Sequence, residues 1–422
     1  MKFQDIKYTR PNFDELLKQL NDLVDKMANA SSSEEFFDFH KQITQKSMEY
    51  QEMYTLASIR NTINTKDSFY DEEMKLFIEN SPRFEEVENK LQNARLVSPY
   101  RKEFEDKYGK MITAKDELQK DIFKPSIIED RVKEATLVKK YQKLMGSAQI
   151  NFRGETYNIA QLGAFTESMD RETRKEAFAE LNKWMASHKD EFDQIYDELV
   201  KIRTQIANKL GFETYTPVAY KSMGRVDWDM HDAKKYRDQI AKYIVPLTQK
   251  LYKEQKKRIG ISDFKYYDVP LKFLTGNPKP MDEEKIMVEK AQKMYHELSP
   301  ETDEFFQKMV EGEMMDLSTK DGKAPGGYMT SLPITKMPFI FSNFNGTLGD
   351  VDVLTHEAGH AFQGYLTRDI YPVENQMGGM EIAETHSMSM EFFTTPWMPL
   401  FFGDSAEKYY YQHLSAALEF LP

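Results

Sequence analysis

The chain has 422 residues, no cysteine, 40% hydrophobic residues and a formal net charge of −12 at pH 7. Such a length and apolar content are enough for a sizeable core and two lobes, which excludes an intrinsically disordered protein. The lack of cysteine excludes disulfides and thiolate metal ligands, and the acidic balance argues against a nucleic-acid partner.

No targeting or membrane segment is recognisable. The opening MKFQDIKYTR has no apolar stretch of the kind that a secretory signal needs. No later segment approaches the apolar length of a transmembrane helix. The sequence therefore predicts a cytoplasmic protein without a membrane partner.

Amphipathic helices dominate the first half of the chain. Residues 11–28 carry apolar side chains at helical spacing, and Ser32 with Glu35 is typical of a capping box that opens a second long helix. Further helices are predicted over residues 127–145, 171–188 and 191–210, with a small hairpin over residues 149–159. We therefore expect a mostly α protein with an N-terminal helical region over residues 1–150 and a second domain over residues 151–422.

The hydrophobic period changes further along the chain. Residues 337–344 read MPFIFSNF, and their aromatic content favours a strand. Its free edge could pair with an extended peptide through Phe341 and Asn343; an ordinary interior strand is the alternative. Gly327 and Tyr328 could belong to a flexible loop over a substrate cleft, or to a simple turn.

The segment His356-Glu357-Ala358-Gly359-His360 is an instance of H-E-x-x-H, and Asp350 is a candidate N-cap for its helix. On a helix the two imidazoles lie on one face and can bind one metal ion, while Glu357 can hold a water beside it. Unrelated histidines on an exposed helix are the alternative. Asp352, four residues before His356, could hydrogen-bond that imidazole or serve the helix N-terminus.

A catalytic zinc site needs a third protein ligand. The metzincin pattern is excluded, because Leu366 stands where its third histidine is required. A helix over residues 379–391 places Glu381, Glu384 and Glu391 on one face. Position alone favours Glu384 only because it is central, and an ordinary charged face is the alternative. Glu391 could accept the free N–H of a ligating histidine.

The motif, followed by EIAETHSMSMEFF, resembles the thimet oligopeptidase and oligoendopeptidase F family of zinc metallopeptidases. Residues 326–363 are similar to the oligoendopeptidase F branch, which includes Pz-peptidase-like enzymes, and so are the opening MKFQDIKYTRPNF and residues 219–230. The resemblance implies one zinc ion per chain, held by His356, His360 and Glu384. Cobalt or manganese could substitute for zinc at such ligands.

The same resemblance implies a mostly α, two-lobed body around a deep substrate channel, with a small sheet beside a gluzincin-type H-E-x-x-H helix. The expected substrates are oligopeptides, cut internally by attack of a water at the metal that Glu357 assists as the base. Two other classes stay open: a peptide-binding protein with a vestigial metal site, and an exopeptidase on the same scaffold.

The family continues beyond the position that matches Pro422. The resemblance implies that this further segment carries His and Tyr residues which bind substrate and stabilise the tetrahedral intermediate. We therefore expect the activity of the 422-residue chain to depend on whether that segment is dispensable.

Overall fold

The structure, a computed structural model, describes residues 1–422 and is mostly helical, as predicted. The helices are α1 Phe13–Ala28, α2 Ser33–Ile63, α3 Ser68–Val97, α4 Arg101–Tyr108, α5 Met111–Gln119, α6 Ile128–Gly146, α7 Ile159–Gly163, α8 Arg171–Ser187, α9 Lys189–Leu210, α10 Tyr215–Ser222, α11 Met230–Gln239, α12 Val245–Arg258, α13 Glu284–Leu298, α14 Pro300–Glu311, α15 Gly349–Thr367, α16 Met380–Phe393, α17 Met398–Phe402 and α18 Ala406–Glu419. The strands are β1 Ile150–Phe152, β2 Glu155–Tyr157, β3 Met315–Ser318, β4 Tyr328–Leu332 and β5 Met337–Phe344. None of the helices combines the length and the apolar character needed to cross a lipid bilayer.

Side-chain caps define where the first helices begin. The Asn12 side chain accepts the backbone N–H of Glu15 at the start of α1, and Ser32 accepts that of Glu35 at the start of α2. The predicted cap at Ser32 is therefore confirmed. Its reciprocal half differs, because the Glu35 carboxylate accepts from the backbone N–H and the hydroxyl of Ser31 at 2.9 and 2.8 Å. The turn before α2 is thus fixed one residue earlier than a standard capping box would fix it.

Helix α2 connects two of the four apolar cores. Phe36 and Ile43 of α2 are buried in a core that α2 shares with α1 and α3. Leu56 and Ile59, further along the same helix, are buried in the largest core, which surrounds the second sheet. A helix of this length extends roughly 46 Å, so it can reach both. The domain boundary near residue 150 stays a prediction.

The chain forms two small sheets. Strands β1 and β2 make the predicted hairpin, with Ile150 opposite Tyr157. The second sheet has the order β3-β5-β4, in which β5 is parallel to β3 and antiparallel to β4. Strand β5 is therefore interior, so the prediction that it offers a free edge is wrong. The edge strands are β3 and β4, and β4 lies against α15.

A buried ionic cluster joins the N-terminal helices to the segment before α16. Arg95 of α3 is 2% exposed and donates two hydrogen bonds to Asp116 of α5, each of 2.8 Å. Its third nitrogen donates to Glu374 at 2.7 Å and lies 3.1 Å from His40 Nε2. On its other side, His40 Nδ1 lies 2.6 Å from the Tyr371 hydroxyl. Removing one partner of a buried ion pair is costly, because it leaves the other charge uncompensated. The cluster therefore holds residues 371–374, which precede α16, against the N-terminal helices.

We expect acid to destabilise the protein through His40. Burial, with help from Arg95, lowers the pKa of His40 from 6.5 to about 4. Between those values the unfolded chain binds a proton at His40 that the folded chain does not, so stability falls as the pH falls. The loss between pH 7 and pH 5 should be about 2 kcal/mol.

Urea unfolding of the wild type and of His40→Gln at both pH values would measure this contribution. The variant should lose about 2 kcal/mol less than the wild type on acidification, whatever its stability at pH 7. An equal loss in the two proteins would contradict the assignment, because all other titrating groups are shared.

Candidate metal centre

Helix α15 carries the H-E-x-x-H segment and starts differently from the prediction. It begins at Gly349, so Asp350 lies inside its first turn and is not the N-cap. The Asp350 carboxylate instead accepts the backbone N–H groups of Asn345 and Gly346 at 2.9 and 2.8 Å. Burial raises the pKa of Asp350 to about 6. Asp350 therefore orders the turn that joins β5 to α15.

The structure brings three predicted ligand atoms together. Glu384 Oε2 lies 3.2 Å from His356 Nε2 and 3.7 Å from His360 Nε2, and the three atoms lie within 4.8 Å of one another. Two ligands of a tetrahedral zinc ion, each about 2.1 Å from the metal, are roughly 3.4 Å apart. The imidazole and carboxylate donors therefore fit one zinc ion and could hold it.

A second carboxylate orients the first imidazole. Glu391 Oε1 lies 2.6 Å from His356 Nδ1, which leaves Nε2 free to face Glu384. Burial alone would lower the pKa of His356, but the hydrogen bond to Glu391 and the surrounding carboxylates outweigh it and raise the pKa. Carboxylates commonly hold metal-binding histidines in this way, through the nitrogen that does not bind the metal.

Glu357 is buried beside these donors without belonging to them. It is 7% exposed, and burial raises its pKa to about 7, while His356 opposes and Glu384 adds to the shift. A Cβ atom at Gly327 would lie 3.5 Å from Glu357 Oε1, so the backbone just before β4 passes directly beside the carboxylate. A carboxylate with a pKa near neutrality can accept a proton and release it again.

The Asp352 carboxylate does not hydrogen-bond the His356 imidazole, so the predicted direct hydrogen bond is wrong. Asp352 Oδ1 accepts from the Tyr409 hydroxyl at 2.6 Å and lies 3.6 Å from His413 Nδ1, both on α18. His413 Nε2 in turn lies 3.3 Å from Glu391 Oε2. Asp352 is therefore linked to the His356 imidazole only indirectly, through His413 and Glu391. Neither α18 residue could be predicted from sequence, because nothing local links Tyr409 or His413 to a motif about 50 positions earlier.

Gly359 lets α15 and α16 approach each other closely. A Cβ atom at this position would lie 2.7 Å from both the His386 carbonyl oxygen and the Ser387 Cα atom, and 3.0 Å from Met390 Cβ. Two of these three are backbone atoms, which cannot rotate away. A glycine inside a helix lowers the stability of that helix by about 1 kcal/mol relative to alanine. A glycine within the predicted helix was therefore the sequence signal for a close contact here.

We expect Gly359→Ala to separate the two helices and to displace Glu384 from the histidines. The added methyl group should lower the free energy of unfolding by about 1–3 kcal/mol, the usual cost of overpacking. Zinc affinity should fall about tenfold or more, because a site loosened by 1 Å loses its geometry. Thermal unfolding and competition with a chromogenic chelator would measure the two effects.

Gly364→Ala is a matched control on the same helix. A Cβ atom there would meet only the ends of two side chains, Ser331 Oγ at 3.2 Å and Met329 Cε at 3.7 Å. Gly364→Ala should therefore bind zinc nearly as the wild type does. Equal effects of the two substitutions would show that the close approach at Gly359 is not critical.

The exposed first turn of α16 is held by Arg225. The Arg225 guanidinium lies 4.3 Å from the Tyr220 ring centroid and 4.2 Å from that of Trp228. Its Nη2 atom is 2.6 Å from Glu381 Oε1, three residues before Glu384. Glu381 is thus occupied by an arginine, which distinguishes it from the glutamate that faces the histidines.

The four predicted peptide-contacting residues have different surroundings. The Phe341 side chain is fully buried and stacks on Tyr328 with ring centroids 4.7 Å apart, so it cannot contact a peptide. Tyr328 is the first residue of β4, and its hydroxyl bonds Thr62 at 2.6 Å. The Asn343 amide donates to the carbonyl groups of Ala324 and Gly326 at 2.8 Å, so it fixes the loop before Gly327. Gly327, the fourth, lies directly beside Glu357.

Comparisons with known proteins agree with these features. Residues 3–123 match the profile of the peptidase M3 N-terminal domain, and residues 164–410 match that of peptidase family M3. A solved structure of Pz peptidase A with an inhibitor has 45% sequence identity to the chain and a TM-score of 0.98, over 99% of this chain and 75% of that one. The chain is also 24% identical to the oligopeptidase PepF of Bacillus subtilis (strain 168), in an alignment of 426 positions that covers 92% of this chain.

The curated relatives are considerably longer than the matched part. The chain spans 59% of the length of the Bacillus subtilis oligopeptidase PepF. It spans 40% of the chromosomal oligoendopeptidase F of Lactococcus lactis subsp. cremoris, to which it is 26% identical over 249 residues.

Proposed function

Because this chain belongs to peptidase family M3, we propose that it is a zinc-dependent endopeptidase that hydrolyses internal bonds of oligopeptides. The observation that carries the proposal is the convergence of His356, His360 and Glu384, at separations that suit zinc, with the buried Glu357 beside them. A catalytic zinc site needs three protein ligands and one open position.

The two histidines and Glu384 would hold the metal, and Glu391 would keep His356 in the tautomer that presents Nε2. A zinc ion bound there would act as a Lewis acid on the peptide carbonyl and lower the pKa of the attacking water. The protein's own contribution is to fix this geometry and to keep the donors oriented.

Glu357 would transfer the proton. Its carboxylate accepts a proton from the attacking water as the bond to the peptide carbonyl carbon forms. It then donates that proton to the leaving amine as the C–N bond breaks. Its buried position raises the pKa of its carboxyl group, which favours uptake of the proton before the proton is passed on.

Strand β4 is the natural support for the substrate. It is one of the two edge strands of its sheet, and it begins next to Gly327, whose backbone passes Glu357. An extended peptide paired with this edge would place a carbonyl group beside the carboxylate. The edge that we predicted on β5 is thus replaced by one on β4.

The proposal is tested with an internally quenched peptide blocked at both ends. Cleavage that a chelator abolishes and added zinc restores would support it. Cleavage that survives complete metal removal would contradict it. Zinc-independent binding without cleavage would favour a peptide-binding protein, and cleavage only of peptides with free ends would favour an exopeptidase.

A further inference from the structure

The edge of β4 faces a cavity inside the N-terminal half of the chain. This outer cavity of about 650 Å³ is lined on one side by Tyr328, Met329 and Thr330 of β4. Its other walls come from α2, α3 and α6. A peptide lying along β4 would therefore have this space next to it.

A second cavity of about 390 Å³ adjoins the first. The inner and outer cavities share six lining residues, Gln51, Tyr54, Ile78, Ser81, Glu85 and Ala135. The two cavities are therefore adjacent, and the passage that a side chain would take from the edge strand into the bundle of α2, α3 and α6 lies at these six residues.

The inner cavity is apolar and aromatic. Ten of its 15 lining residues are hydrophobic, so an apolar occupant would lose little polar hydration there. Tyr50 stacks on Phe84 with centroids 3.9 Å apart, and Phe77 meets Tyr50 and Tyr54 edge-on at 5.6 and 5.5 Å. A further ring in this space could add edge-to-face contacts to the area that it buries.

Two carboxyl groups restrict what this cavity can accept. Glu85 and Glu88 line it, and both side chains are exposed to solvent. An acidic side chain would be repelled by these two carboxylates, which is unfavourable. A neutral ring meets no such penalty.

We propose that the inner cavity is a specificity pocket for a bulky apolar, above all aromatic, side chain of the peptide that lies along β4. The inference rests on the proposed function for the identity of the ligand. Thr330 is three residues along β4 from Gly327, the residue beside Glu357, which is roughly 10 Å at strand spacing. The selected residue therefore lies about three or more positions from the scissile bond.

Peptides that differ at one position test the pocket. Internally quenched peptides carry Gly, Phe or Glu at the third, fourth or fifth residue on either side of the scissile bond. At one of these positions the wild type should prefer Phe over Gly by about tenfold or more in kcat/KM, with Glu the poorest. The same order is expected for affinity, measured by fluorescence anisotropy with the zinc-loaded Glu357→Gln variant.

Ala135, on the shared wall, gives the matching variant. Ala135→Leu should close the passage, remove the preference for Phe and leave the Gly peptide unchanged. Ser81→Leu blocks the same passage from α3 and serves if the first variant is poorly folded. Ala179→Leu on the exposed surface of α8 makes the same change away from the cavity and should behave as the wild type.

The outcomes separate the pocket from the catalysis. Equal affinity for the Phe and Gly peptides, or a preference that survives both blocking variants in folded protein, would overturn the pocket. Peptides that bind with the Phe preference but are not cut would support the pocket and contradict the endopeptidase. Peptides that are cut without any preference would support the endopeptidase and contradict the pocket.

Discussion

Glu357→Gln should abolish turnover while the protein keeps its metal. The substitution preserves the shape of the side chain but removes the group that accepts and returns the proton. Loss of a general acid–base typically costs 10²- to 10⁴-fold, and we expect a fall in kcat of roughly that size. Zinc affinity should stay close to that of the wild type, because Glu357 is not one of the three converging donors.

Cleavage of the doubly blocked peptide and chelator competition would give the two values. Glu381→Gln removes a neighbouring acid that pairs with Arg225 and is a suitable control for general charge effects. Activity of Glu357→Gln within a few fold of the wild type would reject its role as the base. Loss of zinc together with activity would instead assign it a structural part in the site.

Glu384→Ala should lose zinc binding itself. Removal of outer-shell partners of a metal ligand already costs 10- to 100-fold in affinity, so the loss of a ligand should exceed roughly 100-fold. Glu381→Ala, one turn earlier on α16, should bind zinc within about tenfold of the wild type, because it contributes only through Arg225.

Metal content after dialysis and a chelator titration would compare the two variants. The choice of Glu384 would be wrong if Glu381→Ala lost zinc and Glu384→Ala kept it. Unfolding curves in the absence of metal would show whether either substitution acts by destabilising α16, which a ligand's removal alone should not do.

Strand β5 and helix α15 could be predicted from sequence because their signals are local. The run MPFIFSNF and the helical spacing after Gly349 each identify an element within a single window. The order of the strands could not be predicted in this way. Strand β3 lies about 20 residues before β5 and pairs with it in parallel, so the interior position of β5 depends on long-range contacts.

The third ligand shows the same limit on a smaller scale. Helical periodicity places Glu381, Glu384 and Glu391 on one face and cannot rank them. Three-dimensional neighbours separate them: Glu381 meets Arg225, and Glu384 meets both histidines of the motif. Glu391 meets Nδ1 of His356 and Nε2 of His413. Resemblance to a family supplied a choice that the spacing left open.

The ion pair between Arg225 and Glu381, here called the clamp, also links the proposed zinc site to a distant part of the chain. The segment before Arg225 is attached to the end of α5. Lys221 forms an ion pair with Asp121, and the Lys221 carbonyl group accepts a hydrogen bond from the Gln119 side chain. If Glu384 binds the metal as proposed, the clamp favours the metal-bound arrangement of α16. By thermodynamic reciprocity the metal must then stabilise the clamp by the same free energy. Hydrogen exchange in residues 219–229 should accordingly speed up when zinc is withdrawn, although none of those residues is proposed to touch the metal.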